Sequence, residues 1–267
     1  MHLKHREERM ESWIIEEPNE GFVRLRFNRT KQKNAMNAAM RDSLREALER
    51  ARDKFRVIVL TGMDDVFCGG IDLKEVAEQA SENRRDALAD WRDINAAIRE
   101  HPSVFIAQVN GIALGGGVTL TGVCDLAIAA SDAAFGMPEV GFGMYPNPAG
   151  PASQMTLGRK RASWLVLTAE RISASTAEAW GLINETVPAD ALDSRVNEIA
   201  ARVGSFDAAT LTACKRMLDE VPLNVSQWRN AFAAGEQANL EITTTSDEAN
   251  IGLTRFAKGQ RNIGQGQ

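Results

Sequence analysis

The hydrophobic positions along the chain fall into two periods, and the change from one to the other marks out its elements. Ser12–Ile15 and Gly21–Phe27 are short apolar-rich runs separated by Pro18-Asn19-Glu20-Gly21, which predicts a hairpin. Met40, Leu44, Ala47, Leu48 and Ala51 recur at helical spacing, and Asn37 stands where a helix cap belongs. Val57–Leu60, Val104–Val109 and Asp125–Ala129 are continuous apolar runs, the pattern of strands buried on both faces. Between them, residues 72–80 and 83–100 read as helices, and Ala87, Trp91, Ile94 and Ile98 keep the helical period in the second. A short apolar helix is expected from about Gly117. Gly and Pro punctuate the chain from Asp132 to Pro151, and from Arg159 onward it reads as mostly helical. Ser175-Thr-Ala-Glu178 has capping-box spacing, and Val221-Pro222 and Thr243–Ser246 are expected to separate the last helices.

Strands alternating with helices imply parallel crossovers and an α/β core. The expected organisation is an N-terminal extension over residues 1–11, a catalytic core over 12–205 and a helical C-terminal region over 206–267. The first residues carry charge and no apolar core, so a loosely packed extension is expected, not a secretory or transit signal.

Composition narrows the function classes. Of 267 residues, 44% are hydrophobic and 25% charged, which is ordinary globular usage. The formal net charge of −5 counts against a dedicated nucleic-acid binder and against a chain held on an anionic membrane. No apolar run reaches the roughly 18 residues that span a bilayer. Three His (His2, His5, His101) and three scattered Cys (Cys68, Cys124, Cys214) offer no local zinc set, so no metal is expected. A Ser-His-Asp triad would have to rest on His101 beside Pro102, which counts against a protease of spiral architecture. Unpaired Cys suggest free thiols in a reducing compartment, and a cytoplasmic location is expected.

Three segments carry candidate chemistry. Phe67-Cys-Gly-Gly-Ile-Asp-Leu-Lys-Glu75 places a glycine pair before a helix start. Asn110-Gly-Ile-Ala-Leu-Gly-Gly-Gly117 places three glycines between a buried strand and an apolar helix. Ala134-Phe-Gly-Met-Pro-Glu139-Val-Gly-Phe-Gly143 holds one carboxyl in an apolar, glycine-rich stretch. Taken singly, each has a bland explanation: a tight capped loop, close helix–strand packing, an exposed loop glutamate. Taken together, two glycine turns at helix starts could aim two N–H donors at one carbonyl oxygen. A nearby carboxyl of raised pKa could then move a proton, which is equipment for an enolate. The second segment matches neither the dinucleotide fingerprint nor a phosphate loop.

The chain resembles the crotonase, or enoyl-CoA hydratase/isomerase, superfamily. The resemblance rests on Asn28-Arg29 with Asn34-Ala35, Phe67-Cys-Gly-Gly-Ile-Asp72, Val109-Asn-Gly with Leu114-Gly-Gly-Gly117, and Cys124-Asp-Leu126. Ala134-Phe-Gly-Met-Pro-Glu139, Leu167-Thr168 and Trp180-Gly-Leu-Ile183 complete it. It implies a spiral of ββα units with a helical C-terminal region used in trimerisation, as a homotrimer or a dimer of trimers. It also implies an acyl-CoA substrate, no cofactor beyond that coenzyme A moiety, and no nucleic-acid or membrane partner. The thioester oxygen would be held by the N–H groups of Ile71 and Gly116. Gly70, Gly115, Leu73 and Lys74 would line the path of CoA, and Phe256 and Lys258 would pack near it. Met137, Phe142, Tyr145 and Trp91 would border the acyl group.

Two departures bear on mechanism. Hydratases of the two-glutamate kind carry a Glu two residues after the glycine triplet; here that place is Thr119, and Glu139 alone remains. A hydroxyl can orient a water but cannot take its proton at neutral pH. The expected activity is hydration of a 2-enoyl-CoA, with hydration followed by retro-aldol cleavage, or 3,2-double-bond isomerisation, as alternatives. A non-catalytic or RNA-binding member of the fold is the non-enzyme alternative. Tyr145-Pro-Asn-Pro-Ala-Gly150 stands where the family usually has Pro-Gly-Ala-Gly-Gly. The hydroxycinnamoyl-CoA hydratase-lyases, which carry out hydration followed by cleavage, resemble this chain in having a hydroxyl residue at the Thr119 place, but Tyr145 is the sole Tyr, so their phenol-binding tyrosines are missing and an aromatic substrate is less expected.

Overall fold

A computed structural model describes residues 6–9, 13–19, 21–78, 81–147 and 149–223, together with 237, 241, 244 and 245. Strands are β1 (Arg6–Arg9), β2 (Trp13–Asn19), β3 (Phe22–Phe27), β4 (Val57–Thr61), β5 (Val66–Cys68), β6 (Val104–Val109), β7 (Ile112–Leu114), β8 (Leu126–Ala130), β9 (Ala134–Gly136), β10 (Ile172–Ser173) and β11 (Glu185–Val187). Helices are α1 (Ala38–Ala51), α2 (Leu73–Glu78), α3 (Ser81–Glu100), α4 (Gly116–Val123), α5 (Ala149–Thr168), α6 (Ala174–Trp180), α7 (Leu192–Gly204) and α8 (Ala208–Leu223).

Three successive turns of the chain share one plan. Each sends a long strand to a seven-stranded sheet and a three-residue strand to a four-stranded sheet, then crosses back by helix. The pairs are β4/β5, β6/β7 and β8/β9. Strands from consecutive turns pair in parallel, β4 with β6 and β6 with β8 in one sheet, β5 with β7 and β7 with β9 in the other. This is the expected α/β spiral. The main core lies between the sheets and α1, α3, α4 and α6, around Trp13, Phe27, Leu44, Phe67, Trp91 and Phe105. The outer face of the larger sheet is closed by Leu192, Val196 and Ala200 of α7.

The hairpin forms as predicted, with Trp13 opposite Phe27. Asn37 caps α1, its side chain accepting from Met40 N. Two expectations need correction. Residues 6–9 are not loose: Arg6–Arg9 pairs antiparallel with β2 at the sheet edge. Edge pairing uses backbone groups alone, so it leaves no apolar signature in the sequence. The cap of α6 is Ser173, which accepts from Thr176 N at 3.2 Å, and Ser175 lies inside the first turn. Ser173 ends β10 in extended conformation, which a cap requires. α8 ends at Leu223, one residue past Pro222, and the chain expected to form the next helix lies outside the described residues.

Candidate active site

The first glycine turn follows β5. Gly70 has φ +93, a conformation L residues rarely adopt. Met36 and Ile71 form an isolated parallel bridge, with Met36 N donating to Gly70 O (2.8 Å) and Asp72 N donating to Met36 O (3.0 Å). Those two bonds straddle Ile71, so its own N–H points away from Met36. The loop before α1 holds this arrangement. Asn34, fully buried, donates from Nδ2 to Val66 O (2.8 Å), and Gly69 N donates to Lys33 O (2.8 Å). Arg29 ties the same loop to the turn through Asp72 Oδ2 (3.1 Å) and Ala35 O. The other Asp72 oxygen caps α2 through Lys74 N (3.1 Å) and Glu75 N (3.4 Å).

The second turn packs directly on the first. A Cβ at Gly70 would lie 3.1 Å from Gly116 N, and one at Gly116 would lie 3.1 Å from Gly70 Cα. Only glycine permits this approach. Gly115 N donates to Gly136 O (2.9 Å), and Gly116 opens α4, where the first N–H groups have no intrahelical acceptor. Among the described residues neither the Ile71 nor the Gly116 N–H has an acceptor. The two turns therefore present free donors side by side, and the α4 dipole adds partial positive charge there.

Glu139 arrives from the 3-10 turn at Pro138–Phe142 that follows β9. Its Oε1 occupies the volume a side chain at Gly115 would need. Oε2 is buried without a hydrogen-bond partner. Burial lifts the carboxyl's pKa above the ordinary range, partly offset by a bond from its own backbone N–H. A buried carboxyl with one unpartnered oxygen thus stands against Gly115, next in the chain to the free Gly116 N–H.

Other expected residues are placed as follows. Thr119 is buried one turn into α4, and its hydroxyl donates to Gly115 O at 3.4 Å. Trp91 is buried, with Cζ2 and Nε1 3.1 and 3.2 Å from where a Gly116 Cβ would be, so it backs the second turn. Met137 is buried near Ser153, with Oγ to Sδ 3.9 Å. Phe142 and Tyr145 are not enclosed, at 59% and 56% exposure. The Tyr145 ring lies over Gly150 at the start of α5, its oxygen accepting from Gln154 Nε2 at 3.3 Å. Leu73 and Lys74, two and three residues after Ile71, are exposed. Phe256 and Lys258 lie outside the described residues.

Cys68, His101 and Asp125 are each held by backbone contacts. Cys68 Sγ accepts from Gly70 N (3.4 Å), and burial pushes its thiol up to about 12. His101 is buried, with Nε2 3.1 Å from Leu48 O and Nδ1 accepting from Ser103 N, and burial lowers its pKa. Asp125 anchors a strand end, accepting from Phe105 N (2.8 Å) and pairing with buried Lys215 (3.0 Å). Among the described residues no cluster of His, Cys, Asp and Glu could hold a metal, and no helix is long and apolar enough to cross a membrane.

Two abutting helix-start turns on a ββα spiral, with a carboxyl held over one of them, form the candidate site. The model of the enoyl-CoA hydratase/isomerase family matches residues 17–263. The chain belongs to that family. It is 29% identical to the 2,3-dehydroadipyl-CoA hydratase of Escherichia coli K12, over 92% of this chain and 95% of that one. It is 30% identical to human enoyl-CoA hydratase domain-containing protein 3, over 91% of this chain and 80% of that one. Among solved structures, an enoyl-CoA hydratase from Bacillus anthracis superposes with a TM-score of 0.88 at 29% identity, covering 96% of this chain and all of that one.

Proposed function

We propose that this protein is a lyase that adds water across the double bond of a 2-enoyl-CoA. The observation that carries the reading is the buried Glu139 carboxyl, its Oε2 without a partner, held against Gly115 where the free N–H groups of Ile71 and Gly116 meet. The thioester oxygen accepts from both N–H groups, which stabilise it as negative charge develops. Water attacks C3 while Glu139 takes its proton. The resulting enolate then receives that proton at C2 from the same carboxyl, so one group serves as base and acid and the balance closes. Thr119 spends its proton on Gly115 O and keeps its lone pairs toward an incoming water.

In this reading CoA runs past Gly70 and Gly115 toward Leu73 and Lys74, with Phe256 and Lys258 contributing beyond the described residues. Met137 and Trp91 line the inner acyl pocket, with Phe142 and Tyr145 at its open side. No resident cofactor is needed. The assembly is a homotrimer or dimer of trimers, and the location is cytoplasmic.

One observation favours a second reading. The α4 position two residues after the glycine triplet holds buried Thr119 and not a carboxyl, and a single carboxyl can also carry a proton between C4 and C2, a 3,2-isomerisation that uses no water. Purified protein screened against straight, branched and aromatic 2-enoyl- and 3-enoyl-CoAs separates the readings. Hydration raises product mass by one water, isomerisation leaves it unchanged, and cleavage gives two products.

A further inference from the structure

Arg41 is a charged side chain sealed inside the protein, 2% exposed, on the face of α1 that also buries Met40, Leu44 and Leu48. An interior guanidinium persists only where it is fully engaged. Arg41 has three partners. Nη1 donates to Met36 O (3.1 Å) and to Glu75 Oε2 (3.2 Å), and Nε donates to Asp90 Oδ2 (2.6 Å).

Each partner leads to the site. Met36 O is the carbonyl that also accepts from Asp72 N, the peptide just after Ile71. Glu75 lies in the first turn of α2, which begins two residues after Ile71, and its other oxygen accepts from Ala38 N (2.8 Å). Asp90 directly precedes Trp91, whose ring edge meets the space over Gly116. One guanidinium therefore joins α1, α2 and α3. It connects the turn that carries the first oxyanion donor to the aromatic ring that backs the second.

We propose that Arg41 is a positioning residue that keeps the Ile71 and Gly116 N–H groups converged on one oxygen; this rests on the enolate-forming role assigned above. Arg41 touches no reacting atom. Its planar fork fixes the mutual placement of three helices, which a point charge on a flexible stem would do less well. A displacement of the donors by a fraction of an ångström weakens them in the charged transition state far more than it weakens ground-state binding.

The test uses turnover together with a probe, a 3-ketoacyl-CoA whose enolate absorbs in the near ultraviolet. A working oxyanion hole lowers the pH at which the bound probe enolises. Arg41→Gln is expected to lower kcat about tenfold or more, with KM within about threefold. It should raise the midpoint of enolisation of the bound probe by about one pH unit, the same tenfold loss read optically. Arg41→Lys should fall between, and Glu75→Gln, which keeps the guanidinium and two of its acceptors, should shift both readouts in the same direction by less. These two variants carry the test if Arg41→Gln does not fold. Arg52→Gln, which removes an exposed pairing with Glu49 on the same helix, should match wild type. An enolisation midpoint unchanged across the Arg41 and Glu75 variants, or a raised KM with unchanged kcat, overturns the proposal. A wild-type protein that neither turns over an enoyl-CoA nor shifts the probe overturns the functional reading instead, and the inference with it.

Discussion

The Glu139 carboxyl fills the place of the side chain that Gly115 lacks. The two residues lie in different turns of the spiral. They meet because Gly115 N binds Gly136 O in parallel with the β7–β9 pairing, which draws the start of α4 beneath the segment that carries Glu139.

Gly115→Ala is therefore expected to be severe. The added methyl collides with Oε1, and the φ of +49 with ψ of −108 lies outside the range alanine adopts. Turnover should fall by about 10²-fold or more, the usual worth of a positioned acid/base. Steady-state kinetics on any confirmed substrate check this, and an alanine variant within twofold of wild type would show that Glu139 need not sit there.

Glu139 should cost the fold stability at neutral pH. Its folded-state pKa is raised by burial, so the folded protein holds this proton more tightly than the unfolded chain. Stability then falls as pH rises from the ordinary carboxylate range through the raised value. Glu139→Gln removes that dependence. The variant should melt above wild type at pH 8, with the difference vanishing near pH 4. Melting curves at the two pH values suffice, and a difference of opposite sign at pH 8 would contradict burial as the cause.

The same shift sets the pH profile of hydration. In the proposed hydration the base form of Glu139 is the active one, so kcat/KM should rise with pH through an acidic limb whose midpoint lies above the ordinary Glu value of about 4.3. A limb at or below that value would mean that the carboxyl is solvated during catalysis.

Asp125 and Lys215 should matter to stability rather than chemistry. Lys215 donates from α8 to Ile98 O (3.0 Å) and Ser103 O (2.8 Å) while pairing with Asp125. Asp125→Asn leaves a buried cation without its counter-ion, which should cost about 3 kcal/mol. Denaturant unfolding should register the loss, with KM unchanged for protein that remains folded.

Much of this arrangement is legible in the residues, and the rest is hidden for identifiable reasons. The long buried strands and α1 announce themselves by period, since each satisfies its own local pattern. Strands β5, β7 and β9 do not: each has three residues, too few for a period to register. The glycine segments read as turns from composition, but their contact joins residues 46 apart in sequence, Gly70 and Gly116, and only the parallel pairing of β5 with β7 produces it. Arg41 is missed because a lone charge among apolar residues reads as solvated. The signal that could have found it is that position 41 falls on the stripe itself, between Met40 and Leu44.

The most direct test is turnover of wild type and Glu139→Gln on a 2-enoyl-CoA that the wild type hydrates, followed by loss of the enoyl-thioester absorbance and by product mass. The account predicts a product heavier by one water and a Glu139→Gln rate lower by about 10²-fold or more. Near-normal hydration by the Gln variant would contradict it.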